Sequence, residues 1–391
     1  MNGALSGLRV LDFTTTIAGP HCTRLLADLG AEVIKIEAPA GDMMRTRPPM
    51  RNGASTSFGQ LNAGKKSIAV DLKSPAAVEA VRRLVATADV VVENFRPGVM
   101  RRFGLDYEAL RPIKPDLVYC AISGYGQTGP SAELPAYAPV IHAASGYDLA
   151  HMAYQGAARR PDYCGIYIAD VLTGTYAFGA IATALYQRQT TGEGQMIDVS
   201  MLESMLTLTL SEIQAAQFAV APPGRPVFGP VATKDGYINL SIASERTFQN
   251  LAAASGHPHW LTDPRFAEYP KRRANWGELI DELERWSAGL TTAEVQAVFD
   301  RGGVPSSPYR TVKEAMADPQ ITHRRSFAEI QDAGGTFLAI NPPFQMTAAT
   351  TAARPFVSAL GEHTEELLAE LGFTEADVAA LVKATRTEAR G

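Results

Sequence analysis

Short apolar, β-branched runs alternate with helically spaced segments through the first third of the chain. Residues 8–13 (LRVLDF), 33–37 (VIKIE), 66–72 (KSIAVDL), 90–94 (VVVEN) and 117–122 (LVYCAI) are strand candidates. Residues 21–29 and 75–88 have helical spacing, and Pro20 stands near the first helix start, where a missing N–H costs least. Strands separated by helices of this length predict an α/β fold: a doubly wound, mostly parallel sheet with helices on both faces.

Farther along, residues 171–188 predict a long helix rich in Ala, Leu and Gly. A strand at 195–199 and a helix over 202–219 follow. Ala221-Pro222-Pro223-Gly224-Arg225-Pro226 is the strongest punctuation in the chain and marks a domain boundary. Beyond it come a strand at 237–242, helices over 245–255, 276–287 and 292–301, and a helical tail over 364–384. The tail carries Leu367, Leu368, Leu371 and Leu381 on its apolar positions. The expected organisation is a large α/β domain over 1–222, completed by the tail 326–391, and a smaller α+β domain over 223–325.

Composition narrows the function. Of 391 residues 46% are apolar and 20% charged, ordinary for a globular protein, and the net charge of −5 gives no basic excess for nucleic acid. Only a local basic patch for a small anion remains open. Cys22, Cys120 and Cys164 are odd in number and far apart, with no C-x-x-C pair, so neither a zinc site nor a disulfide framework is indicated. Free thiols in a reducing compartment are expected. The start MNGALSGLRVLDF lacks a basic leader before a long apolar stretch, and no apolar run approaches the roughly 20 residues of a membrane helix. The expected location is cytoplasmic, with no membrane partner.

Nucleotide and hydrolase motifs are missing: no G-x-G-x-x-G follows the first strand, and G-x-x-x-x-G-K-[ST], H-E-x-x-H and G-x-S-x-G do not occur. What stands out is Asp170, directly before the small-residue helix in Cys164-Gly165-Ile166-Tyr167-Ile168-Ala169-Asp170. Aspartate is a favoured N-cap, worth about 1 kcal/mol. A helix N-terminus also stabilises the anion a nucleophile needs. Position alone leaves both readings open.

The run Gly7-Leu8-Arg9-Val10-Leu11-Asp12-Phe13 and the segment 26–37 (LADLGAEVIKIE) resemble the opening of the family III CoA-transferases of the CaiB/BaiF type. Asn62-Ala63-Gly64-Lys65-Lys66-Ser67, Val92-Glu93-Asn94-Phe95-Arg96-Pro97-Gly98, Ser123-Gly124-Tyr125-Gly126-Gln127-Thr128-Gly129-Pro130 and the segment 188–195 continue the resemblance in order. It implies a CoA-transferase that moves CoA from an acyl-CoA to a free carboxylic acid. Asp170 would be the nucleophile, forming an acyl anhydride and then an aspartyl-CoA thioester. It maps CoA contacts onto Ile17, Ala18, Val70, Leu72, Lys73, Asn94, Phe95, Arg96, Arg102 and Tyr137, with Lys73 and Arg102 facing phosphates. CoA and acyl-CoA are then substrates, with no tightly bound cofactor and no metal, and the chain forms an interlocked homodimer.

Departures bear on the substrate. Ile17 and Ala38 stand where formate-handling members carry glutamine and arginine, and Gly224-Arg225-Pro226-Val227-Phe228-Gly229-Pro230 replaces their glycine-rich loop. A larger or less polar acyl group is expected. The family's racemase branch pairs an aspartate with a histidine. Here that position is Tyr137, with His142 and His151 five and fourteen residues later, so transfer is favoured over α-proton exchange. A CoA-binding protein without catalysis is the third reading, opposed by the retained aspartate.

Overall fold

The computed structural model describes residues 2–155, 160–162, 164–218 and 228–388, the last seven by backbone alone. The proline-rich boundary at 221–226 and residues 224–227 of the altered loop lie outside them. The chain divides into two compact units. The first comprises Met1–Met152, Ala158–Leu210 and His323–Gly391, the second Ala153–Ala157 and Ser211–Thr322.

Six parallel strands form the sheet of the first unit: β1 (Arg9–Asp12), β2 (Glu32–Glu37), β3 (Lys66–Ala69), β4 (Val90–Glu93), β5 (Val118–Ser123) and β6 (Gln195–Ser200). Their order across the sheet is β3-β2-β1-β4-β5-β6. The chain leaves β1 towards one edge and returns to its other side, so a crevice opens beyond the carboxyl ends of β1 and β4. Alternate residues face opposite layers. Val10, Val90, Val92, Val118 and Ile122 pack under α1 (Ala18–Asp28). Leu11, Ile34, Val91 and Tyr119 pack under α2 (Pro75–Ala86) and the tail helices Thr364–Glu370 and Glu375–Glu388, which supply Leu367, Leu368, Val378 and Leu381. Burial on both faces explains why these strands read as continuous apolar runs.

Two short helices, α3 (Val99–Arg102) and α4 (Ala138–Ala144), precede the long α5 (Ile168–Thr191). By length and composition alone α5 could cross a membrane, a property that no single uninterrupted apolar run of the sequence suggests. Ala177, Ile181, Ala184 and Leu185 instead lay it on the sheet beside α1. Two helices are shorter than their sequence spacing predicts. The segment 202–219 divides into Met201–Leu206 and Leu210–Phe218, where Thr207 and Thr209 return their hydroxyls to the carbonyls of Ser204 and Leu206. The tail divides at Gly372, whose φ of +80° ends the helix.

The second unit holds a three-stranded antiparallel sheet, Phe228–Ala232, Tyr237–Ser241 and Ser306–Pro308. Helices Glu245–Ala254, Trp276–Ser287 and Thr292–Gly302 pack beside it around Phe248, Trp260, Trp276 and Phe299. Ser244 with Thr247 and Thr291 with Glu294 close capping boxes that start two of these helices.

Candidate active site

Asp170 is not the cap of its helix. α5 begins two residues earlier, at Ile168, and Tyr167 stands at the N-cap with no side-chain bond. Asp170 therefore rides on the first turn, and its carboxylate faces the backbone N–H of Ala18, the first residue of α1, whose dipole favours the anion. Gly174 makes this approach possible: a Cβ there would lie 2.4 Å from the Ala18 carbonyl oxygen and 3.1 Å from the His21 ring. Two helix N-termini thus meet at one carboxylate, and both favour its anion. Burial acts the other way and, against the Ala18 N–H, raises the pKa to about 6. Among the described residues no lysine or arginine pairs with it.

The loop that delivers Ala18 is tightly held. Thr16 has a φ of +71°, uncommon for a β-branched residue, immediately before the α1 N-cap Ile17. Asn94, from the end of β4, accepts the Thr15 N–H and donates to the Thr15 carbonyl, each at 2.8 Å. These two bonds latch the loop across the sheet's switch point. Below it, Lys65 donates to Asp12 Oδ2 at 2.9 Å, Thr23 Oγ1 at 2.8 Å, the Pro20 carbonyl at 3.1 Å and Asn62 Oδ1 at 2.9 Å. Lys35 donates to the Thr14 carbonyl at 2.7 Å and pairs with Asp42 at 3.0 Å. Burial alone would raise the Asp12 pKa; Lys65, Lys35 and two threonine hydroxyls bring it down to about 2. Nothing in the Asn-Ala-Gly-Lys run itself signals that Lys65 ties β1 to α1.

Beyond the carboxyl ends of β1 to β4 lies a cavity of about 450 Å³, whose walls include Phe13, Val70, Leu72, Lys73, Phe95 and Phe103. A second hollow of about 510 Å³ shares Leu72, Lys73 and Phe103 with it and adds Arg82 and Arg102. An apolar slot running into a basic mouth suits a nucleotide-bearing cofactor. Of the residues expected at CoA, Val70, Leu72, Lys73, Phe95 and Arg102 line these two hollows, and Arg82 lines the second with them. Ile17 and Ala18 stand at the start of α1 with nearly covered side chains. Arg96 is exposed, and Tyr137, the N-cap of α4, is 65% exposed; neither lines these cavities.

A third cavity, about 760 Å³, is walled by Glu93, Asp106, Glu108, Glu133 and Asp198 with Arg101. Burial lifts the Glu93 pKa to about 8. The chain does hold one G-x-G-x-x-G, at Gly124 to Gly129, but it follows β5 and leads into turns. Asp198 accepts the Gln127 N–H there at 2.9 Å. This wall carries Asp106, Glu108, Glu133 and Asp198 against the single cation Arg101, a surface that disfavours a pyrophosphate.

Of the two histidines near the site, His151 is exposed and stacks on Tyr147, whereas His142 is 1% exposed. His142 Nε2 takes the Ala169 N–H at 3.2 Å. Burial pushes the thiols of Cys22 and Cys120 well up, so neither is a ready thiolate. Among the described residues no group of His, Cys, Asp and Glu could hold a metal ion.

The fold is an α/β protein with a half-buried carboxylate at the start of α5 and a largely apolar cavity at the switch point of its parallel sheet. The family model for CoA-transferase family III matches residues 5–364, and the chain belongs to that family. It is 33% identical over 385 residues to the succinate–glutarate CoA-transferase of Agrobacterium fabrum, covering 94% of this chain and 95% of that protein. It is 35% identical over 391 residues to the succinyl-CoA–D-citramalate CoA-transferase of Chloroflexus aurantiacus, covering 96% of each. The crystal structure of a CAIB/BAIF family protein from Brucella suis superposes with a TM-score of 0.83 at 34% identity, covering 95% of this chain and 100% of that one. The chain is a CoA-transferase that moves CoA between a thioester and an acid.

Proposed function

We propose that Asp170 performs this transfer as a covalent nucleophile. Its carboxylate oxygen attacks the acyl-CoA carbonyl; a C–O bond forms, the C–S bond breaks, and the electron pair leaves on CoA thiolate. The thiolate then attacks the aspartyl carbonyl of the anhydride, giving aspartyl-CoA thioester and the free donor acid. An acceptor carboxylate repeats the two exchanges in reverse, and thioester energy is conserved throughout. The observation that carries the reading is a carboxylate without a cationic partner, held at the meeting of two helix N-termini. It is ionised at neutral pH yet half-buried, and closure of the site around a bound thioester would keep out water that hydrolyses either intermediate.

Racemisation is the less favoured reading, since His142 is buried and its Nε2 already accepts the Ala169 N–H, leaving it no substrate proton to take. The named relatives use succinyl-CoA or dicarboxylic acids, so succinyl-CoA with glutarate is the first pair to assay. The enzyme is proposed to work as an interlocked homodimer; exposed Tyr167, Val171, Tyr176 and Tyr186 on and before α5 support burial of that helix by a second copy.

Incubation with acyl-CoA followed by hydroxylamine or borohydride, read by mass spectrometry, tests the mechanism. A modified Asp170 is expected. A label on another residue, or none while turnover persists, sinks it.

A further inference from the structure

The first turn of α5 lacks the cap a helix start normally has. Of its leading N–H groups, Ile168 reaches the Ile166 carbonyl at 3.0 Å and Val171 reaches the Tyr167 carbonyl at 3.1 Å. Tyr167 offers no side-chain acceptor. The Ala169 N–H is satisfied only from outside the helix, by His142 Nε2 on α4. Residue 169 is covalently joined to Asp170, so whatever fixes that amide also fixes the carboxylate one residue on.

His142 is well placed to do so. It is buried on α4 with Ala138 and Ile141, which pack in one cluster with Ala169, Met201 and Met205. An acceptor at Nε2 requires that nitrogen to be unprotonated, which puts the ring's hydrogen on Nδ1. Nδ1 is buried and has no hydrogen-bond partner among the described residues. An unsatisfied buried donor is costly, so packing convenience does not explain the residue. Burial keeps the ring neutral, outweighing the opposing charge of Asp148.

We propose that His142 is a positioning residue: its neutral Nδ1–H imidazole caps α5 from the neighbouring helix and sets the first turn on which Asp170 meets the Ala18 N–H. This rests on the reading of Asp170 as nucleophile. His142 touches no substrate. It acts by holding the α5 terminus in register, and a displacement of about 1 Å at a reacting group can cost up to about a hundredfold in rate.

The test compares two variants of the full chain with the wild type. Glutamine can place an amide oxygen near the position of Nε2; leucine fills similar space without an acceptor. In His142→Leu the rate of Asp170 acylation, read by hydroxylamine trapping, is expected to fall about ten- to a hundredfold with KM for acyl-CoA little changed. His142→Gln should stay within a few-fold of wild type. A leucine variant that acylates normally overturns the proposal, as does a glutamine variant impaired to the same degree as leucine. Should the leucine variant not fold, nitrogen NMR of the wild type with ¹⁵N-labelled histidine decides: a proton on Nε2 of His142 overturns the cap. Wild-type turnover with no label on Asp170 overturns the nucleophile reading and the positioning role with it, whatever the tautomer shows.

Discussion

Asp170 binds a proton more tightly folded than unfolded, because burial raises its pKa from 3.8 to about 6. Between those values the folded state holds more protons, so stability falls as pH rises through the window and the ionised group costs about 3 kcal/mol at pH 7. Asp170→Asn is expected to abolish transfer yet raise the melting temperature by a few degrees at pH 7.5, with the gain gone near pH 4. Thermal melts at both pH values check this. Because the anion is the nucleophile, single-turnover acylation by the wild type should rise tenfold per unit up to about pH 6 and then level off. A flat profile from pH 4.5 to 7 would remove the carboxylate from the rate-limiting exchange. The sequence makes Asp170 conspicuous but, on position alone, leaves it between cap and nucleophile. Helix ends are the least legible feature of a sequence, and here a shift of three residues, from 171 to 168, changes the aspartate's role.

At the scale of elements, the contact between α1 and α5 builds the site. Gly174 is the small residue that lets the helices close, and Gly174→Ala would drive a methyl into the Ala18 carbonyl. A loss of about 1–3 kcal/mol is expected, with a fall in acylation rate as the Ala18 N–H leaves Asp170. Denaturant titration and trapping kinetics measure the two effects. Normal activity with normal stability would show that the helices can part without consequence. The strands of the parallel sheet are legible within a few residues because both faces are buried. α4 is not, since Ala138-Pro139-Val140-Ile141-His142-Ala143-Ala144 is short and opens on a proline. Along the sequence His142 therefore looks like an ordinary packed or surface histidine, and only its bond to Ala169 distinguishes it.

For the molecule as a whole, the distribution of charge separates its hollows. The net charge of −5 says nothing of this, but the fold gathers Lys73, Arg82 and Arg102 with one carboxylate, Glu79, around one hollow and Asp106, Glu108, Glu133 and Asp198 around another. The double variant Arg82→Ala/Arg102→Ala should weaken CoA thioester binding about tenfold or more while leaving an acyl-pantetheine, which lacks the phosphates, unaffected. Equal losses for both ligands, in calorimetry or KM, would count against phosphate contact. Sedimentation of the native chain should give about twice its 41.9 kDa mass, with no dissociation short of unfolding. Native monomer at micromolar concentration would refute the interlocked dimer.

The sequence by itself determined the layered α/β plan, the strands and the candidate nucleophile, because periodicity, turn residues and ordered motifs are local properties. Tertiary structure decided what those residues do. It set Asp170 on the first turn of α5 at the meeting of two helix ends, and it latched Asn94 onto Thr15. Lys65 became a buried tie and His142 a cap supplied from another helix. The last three depend on atoms tens of residues apart along the chain brought within about 3 Å, and on the loss of water around them. No pattern along a sequence records either.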